Sequence, residues 1–142
     1  MARGDKVFLD CDVVMDHLAD RQPFSEWAHR LFALAETKDL TLCVSSLSFS
    51  NLYYILRRLK GHADALALLA SMARLVRVSA VGESEIQSAL SSQFNDFEDG
   101  IQHFAAKTEG GVRAIMTRNL TGYTASEIPV MSPEQYLQNH GG

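Results

Sequence analysis

Lys6-Val7-Phe8-Leu9-Asp10-Cys11-Asp12 is a short apolar run that stops at two carboxylates one residue apart. Val7, Phe8 and Leu9 predict a buried strand, because a continuous apolar run rich in β-formers suits a strand covered on both faces. Asp10 then stands at the strand's carboxyl end, the edge where ligands bind in open α/β sheets. A carboxylate that ends a buried strand needs a partner, since an uncompensated charge there is costly.

Outward from that stretch, composition sets bounds. A chain of 142 residues with 46% hydrophobic content suits one compact domain, residues 1–142, with a substantial core. The formal net charge of −4 argues against a protein that coats nucleic acid nonspecifically, which requires a large positive footprint. Cys11 and Cys43 lie in or beside predicted buried strands without metal-ligand spacing, so they read as reduced packing residues. There is neither a signal-peptide pattern nor an apolar segment of membrane length, and the expected location is cytoplasmic.

The remaining chain alternates helix and strand. Val13, Val14, His17 and Leu18 predict a helix from about Asp12 to Ala19, and Pro23-Phe24-Ser25-Glu26 opens a second one carrying Trp27, Leu31, Leu34 and Ala35. Leu40 to Val44 is a strand, and Ser45-Ser46 leads into a helix closed by Gly61. His62 to Leu75 is an unusually apolar helix, expected to be well buried as core or to form a dimer surface. Val76 to Val78 is a short strand, Glu83 to Ser92 a helix, and Asp96-Phe97-Glu98-Asp99 opens another that ends at Gly110-Gly111. Val112 to Met116 is a strand halted at Thr117-Arg118-Asn119. A polar loop, the brief strand Ile128 to Val130 and a helix opened by Ser132-Pro133-Glu134 complete the chain. No tight hairpin separates consecutive strands. The expected fold is α/β, a three-layer α/β/α arrangement around a mainly parallel central sheet of four to five strands.

In a parallel sheet Asp10 and Asp12, Ser45 and Ser46, and Thr117 and Asn119 share one edge. The amino terminus of the helix at Asp96–Asp99 returns to that edge and adds carboxylates. Close carboxylates repel unless neutralised, and the usual neutraliser is a hard divalent cation held through one or two of them plus waters. A magnesium or manganese site suits phosphodiester hydrolysis without a side-chain nucleophile. His17, His29, His62, His103 and His140 lack zinc-like spacing and read as surface or packing residues. Asp12 also suits an N-cap, Asp96 a cap with Glu98 and Asp99 complementing the dipole, and Arg57, Arg58 and Lys60 a solvated helix end.

On four stretches the chain resembles the PIN-domain family of metal-dependent nucleases, especially bacterial toxin members. They are Val7 to Val13, Asn95 to Asp99, Ile115 to Asn119 and Ile128 to Leu137, in order along nearly the whole length. The resemblance implies Asp10 as first metal ligand, Asp99 as the acidic ligand on the helix, Asp96 as a nearby acidic partner and Asn119 as the polar group after the fourth strand. It implies Mg2+- or Mn2+-dependent cleavage of RNA, a small antitoxin protein as partner and a homodimer. Asn51 stands where the family commonly has glutamate, and Asp12 where it often has asparagine. On this reading Asp10 and Asp99 hold the metal, Asp96 and Asp12 assist, and Asn51 and Asn119 orient water or substrate.

Two other readings stay open. Asp10-Cys11-Asp12-Val13 also fits the nucleophile and acid of a haloacid-dehalogenase-type phosphatase, with Asp10 phosphorylated. Asn51, which brings no charge, suits a PIN-like module that binds protein or RNA without catalysis.

Overall fold

A computed structural model describes residues 4–139; residues 1–3 and 140–142, His140 among them, lie outside these. Val7, Phe8 and Leu9 are fully buried. Their side chains alternate, as a strand requires. Val7 and Leu9 pack with Leu42, Val44, Ala114 and Met116 on one face, and Phe8 with Cys43 and Ile115 on the other. This strand, β1 (Asp5–Leu9), lies at the centre of five parallel strands in the order β3-β2-β1-β4-β5. Its neighbours are β2 (Leu40–Ser45) and β4 (Val112–Met116), with β3 (Val76–Ser79) and β5 (Val130–Met131) at the edges.

Parallel neighbours need crossovers, and the helices supply them. One face is covered by α1 (Cys11–Leu18), α2 (Ser25–Glu36), α3 (Ser46–Lys60), α4 (His62–Ala73) and α7 (Pro133–Asn139). The other is covered by α6 (Phe97–Glu109) through Ala105 and Ala106, with α5 (Glu83–Leu90) packed beside it. The result is the three-layer α/β/α architecture expected.

Several boundaries and faces differ from expectation. The first helix opens at Cys11, because Asp10 is its cap: the Asp10 carboxylate accepts the Cys11 N–H at 2.7 Å, displacing Asp12 from that role. The second begins at Ser25, beyond Pro23, and buries Ala28, Leu31, Phe32 and Ala35, whereas Trp27 and Leu34 are only partly covered. α4 is not well buried throughout. It packs on α3 through a single stripe of Ala65, Leu69 and Met72, which leaves Leu66 47% exposed. The last strand is shifted to Val130–Met131, where Thr117 N–H donates to Met131 O. The loop after β4 contains a 3-10 turn, Leu120–Tyr123, whose Tyr123 joins the core beneath α6.

Among the described residues no helix is long and apolar enough to cross a membrane.

Candidate functional site

Because all five strands run the same way, the ends of β1 and β4 and the amino termini of α1, α3 and α6 meet at one edge. Asp10 is 8% exposed there, and both its oxygens are engaged: one takes the Cys11 N–H, the other the Thr117 hydroxyl at 2.9 Å. Thr117 in turn accepts the Asn119 N–H at 3.0 Å, so one buried hydroxyl ties the first carboxylate to the end of β4. Asp12 Oδ2 accepts the Arg118 N–H at 3.0 Å and lies 3.4 Å from the same hydroxyl, while its Oδ1 is buried without a hydrogen-bond partner.

Asp99 and Asn119 face one another across the pocket, the Asn119 amide 3.5 Å from the Asp99 carboxylate. Gly122 in the 3-10 turn makes this approach possible. A Cβ there would meet the Asp99 carboxylate at 2.6 Å and the Asn119 amide closer still. Gly122→Ala is therefore expected to force the two groups off their positions and lower Mn2+ affinity by about tenfold, the scale of a lost supporting contact at a metal site. Titration calorimetry beside an unchanged circular-dichroism spectrum checks this.

The other predicted residues divide. Asp96 is the N-cap of α6 and accepts the Asp99 N–H at 3.0 Å, which points its carboxylate at the backbone. Asn51 does not reach out to solvent. Its amide donates to Glu98 Oε1 at 2.9 Å, an orientation required because an ionised carboxylate can only accept. Glu98, read from the sequence only as a dipole complement, is thus held beside Asn51, near enough for its charge to act on Asp10 and Asp99. Tyr123 is the other residue that sequence reasoning missed. Its hydroxyl is 98% enclosed with its residue, beside Asp10 and Asp99, in a geometry that falls short of a full hydrogen bond.

Electrostatics record the crowding. Burial, above all, holds the Asp10 carboxyl above its usual range, with Thr117 and Cys11 opposing and Glu98 adding repulsion. Burial and then Asp10 raise Asp12 to about 6. Asp99 is pushed up to about 7 by burial, then by Asp10, Asp96, Glu98 and Asp12. Cys11, raised to about 12 by burial first, is no thiolate nucleophile at neutral pH.

These are hard oxygen donors with excess negative charge, the donor set that suits Mg2+ or Mn2+. Among the described residues no three acidic, histidine or cysteine side chains stand close enough to chelate an ion unaided. A hydrated cation needs only one or two direct carboxylates. The orphaned Asp12 Oδ1 and the Tyr123 hydroxyl match its waters, so the residues present fit such an ion. A cavity of about 300 Å³ is lined by Phe24, Trp27, Leu120, Asp16, Arg118 and Glu134 among others, and by none of Asp10, Asp99 or Asn119.

A family model described as PIN domain matches residues 6–121. No curated protein matches the chain. Among solved structures, VapBC2 from Rickettsia felis, bound to a promoter DNA fragment, aligns with a TM-score of 0.69 at 12% identity, covering 89% of this chain and 98% of that one. The Sarcin-Ricin loop cleaving toxin VapC20 from Mycobacterium tuberculosis gives 0.64 at 20% identity, over 87% and 98%. DNA-bound VapBC from Salmonella typhimurium gives 0.66 at 16% identity, over 94% and 99%. At these identities the likeness establishes the fold.

Proposed function

The chain belongs to the PIN-domain family, and from that premise we propose that it is a divalent-metal-dependent endoribonuclease, the toxin component of a toxin–antitoxin pair. The observation that carries the reading is the convergence of Asp10, Asp12 and Asp99 at one sheet edge, where burial raises the proton affinity of all three and the Asp10 charge raises that of Asp12 and Asp99 further. Asp10 and Asp99 would hold Mg2+ or Mn2+, and Asp12 would assist. Such an ion supplies the charge that activates a water nucleophile and steadies the phosphate as it reacts. Asn119 holds the Asp99 carboxylate, Thr117 orients Asp10, and Asp96 fixes the first turn of α6. RNA as substrate is supported by the fold shared with a toxin described as cleaving the Sarcin-Ricin loop. A small antitoxin partner, a homodimer, a cytoplasmic location and a single domain over residues 1–142 complete the proposal. The family match favours this reading of Asp10-Cys11-Asp12 over the phosphatase one.

The test is cleavage of structured and single-stranded RNA by purified protein with Mg2+, Mn2+ or chelator, beside Asp99→Asn. Metal-dependent cleavage lost in the variant is the expected result. Folded, partner-free protein that cuts with neither metal returns the chain to the binding-module reading.

A pH profile sharpens the test. Asp12 and Asp99 must lose protons to receive a cation, so Mn2+ affinity is expected to rise between roughly pH 5 and pH 8 and then level off. In chelator the sign reverses. The folded state binds protons more tightly than the unfolded chain at these two groups, so their contribution to stability is present on the acid side and is withdrawn as pH rises through 6 to 7. His17, lowered to about 4 chiefly by burial, acts oppositely, so the diagnostic quantity is the difference between wild type and Asp99→Asn.

A further inference from the structure

We propose that Glu98 is an acidic residue of the cation site, supplying from α6 the negative charge that Asn51 does not supply from α3; this rests on the nuclease reading above. The Asn51 amide holds Glu98 Oε1 at 2.9 Å. One turn further along α6 and one turn back along α3, Gln102 donates to the buried Ser48 hydroxyl at 2.8 Å. Two rungs between the same pair of helices fix how α6 is rotated, and that rotation turns Glu98 toward Asn51 in the second turn of α3. Cys11, whose thiol approaches Ser48 O at 3.9 Å, brings the start of α1 to the same place. The Glu98 charge is accordingly felt by Asp10, Cys11 and Asp99 together.

A cluster of carboxylates is not in itself a site. Here a second observation points to a ligand: the Tyr123 hydroxyl, on a residue only 2% exposed, lies beside Asp10 and Asp99 yet reaches the geometry of a full hydrogen bond with neither. Buried hydroxyls are almost always satisfied. Asp10 and Asp99 would hold a hydrated divalent cation, with the Glu98 charge acting on it from beside them, and a water of that cation would satisfy the Tyr123 hydroxyl. In this arrangement Asn51 is a positioning residue. It donates to the carboxylate that carries the charge, and its replacement by an acid would set two carboxylates against each other across that 2.9 Å contact.

The test is Mn2+ titration without RNA, followed by calorimetry and by the free-Mn2+ resonance signal. Glu98→Gln keeps an acceptor for Asn51 and removes only the charge, so its melting temperature in chelator is expected to hold while the Mn2+ dissociation constant rises about tenfold or more. Asn51→Ala, which frees Glu98 without neutralising it, should weaken binding by a smaller factor. The exchange Asn51→Glu with Glu98→Gln should restore binding to within about threefold of wild type, because the same charge returns from the opposite helix. Wild-type affinity in Glu98→Gln, with binding lost in Asp10→Asn, would make Glu98 a helix tie and overturn the inference while leaving the nuclease reading intact. An exchange variant that stays as weak as Glu98→Gln would overturn the equivalence of the two positions. Wild-type protein that binds no Mn2+ would remove both.

Discussion

Asp10→Asn is expected to abolish measurable Mn2+ binding and to lower RNA cleavage by on the order of 10²-fold or more, the scale on which one preorganised charge-stabilising group acts. The same variant is expected to melt in chelator at the wild-type temperature or above it. Asparagine matches aspartate in shape and is as good an N-cap, so its Oδ1 keeps the Cys11 N–H. Its Nδ2 faces the Thr117 hydroxyl, whose single proton is then released toward Asp12 Oδ2, 3.4 Å away. What disappears is a buried charge, disfavoured mainly by its desolvation and further by Glu98. Stability and function thus pull in opposite directions at this position, as expected of a site held in a destabilised form for its ligand. Metal titration, cleavage and thermal melts on one preparation check all three parts. Cleavage at the wild-type rate would remove Asp10 from the proposed machinery.

The second large effect lies behind the site. Asp16 on α1 is 2% exposed and is held by Arg21 Nε at 3.0 Å and by Arg118 through Nε at 2.8 Å and a terminal nitrogen at 3.1 Å. Arg118 also lies over the Phe24 ring at 3.9 Å, and its backbone N–H holds Asp12. One residue after Thr117 therefore pins the end of β4 to α1 and to the turn before α2. Arg21→Ala with Arg118→Ala would strand the Asp16 carboxylate. Breaking a buried pair in this way costs roughly 3–5 kcal/mol; about 3 kcal/mol is expected here, because the two arginine side chains are themselves 42% and 31% exposed and partly screened. Adding Asp16→Asn to the double variant should recover much of the loss, since the stranded charge is then gone. Urea unfolding measures both. A double-variant loss under about 1 kcal/mol would mean that water reaches Asp16 unaided.

The candidate site and this anchor differ in how far they could be foreseen. Asp10 was legible because it ends an apolar run, and a strand's position in a parallel sheet follows from such a run without knowledge of its neighbours. Asp99 and Asn119 followed from the order of elements, which returns α6 and β4 to the same edge. Glu98 was not legible. Adjacent residues at the start of a helix pointing end-on at a pocket differ in direction by about 100°, and the sequence does not say how the helix is rotated. The Gln102–Ser48 and Asn51–Glu98 rungs join positions 54 and 47 residues apart and decide that rotation. For Asp96 the sequence offers two roles, the acidic partner that the resemblance implies and a helix cap, and the structure shows the cap bond to the Asp99 N–H.

By itself, then, the sequence determined the alternation of strand and helix, the central place of β1 and the acidic character of one sheet edge, because these depend on local runs of apolar residues and on the breaks between them. Only the tertiary structure decided which acid caps a helix and which faces the pocket, that Asn51 serves Glu98, that Tyr123 closes the floor beside Asp10 and Asp99, and that Asp16 anchors Arg118. Each of those outcomes is a competition among hydrogen-bond partners distant in the chain. Composition offers the candidates, and the packing of α3, α6 and the 3-10 turn against β1 and β4 selects among them.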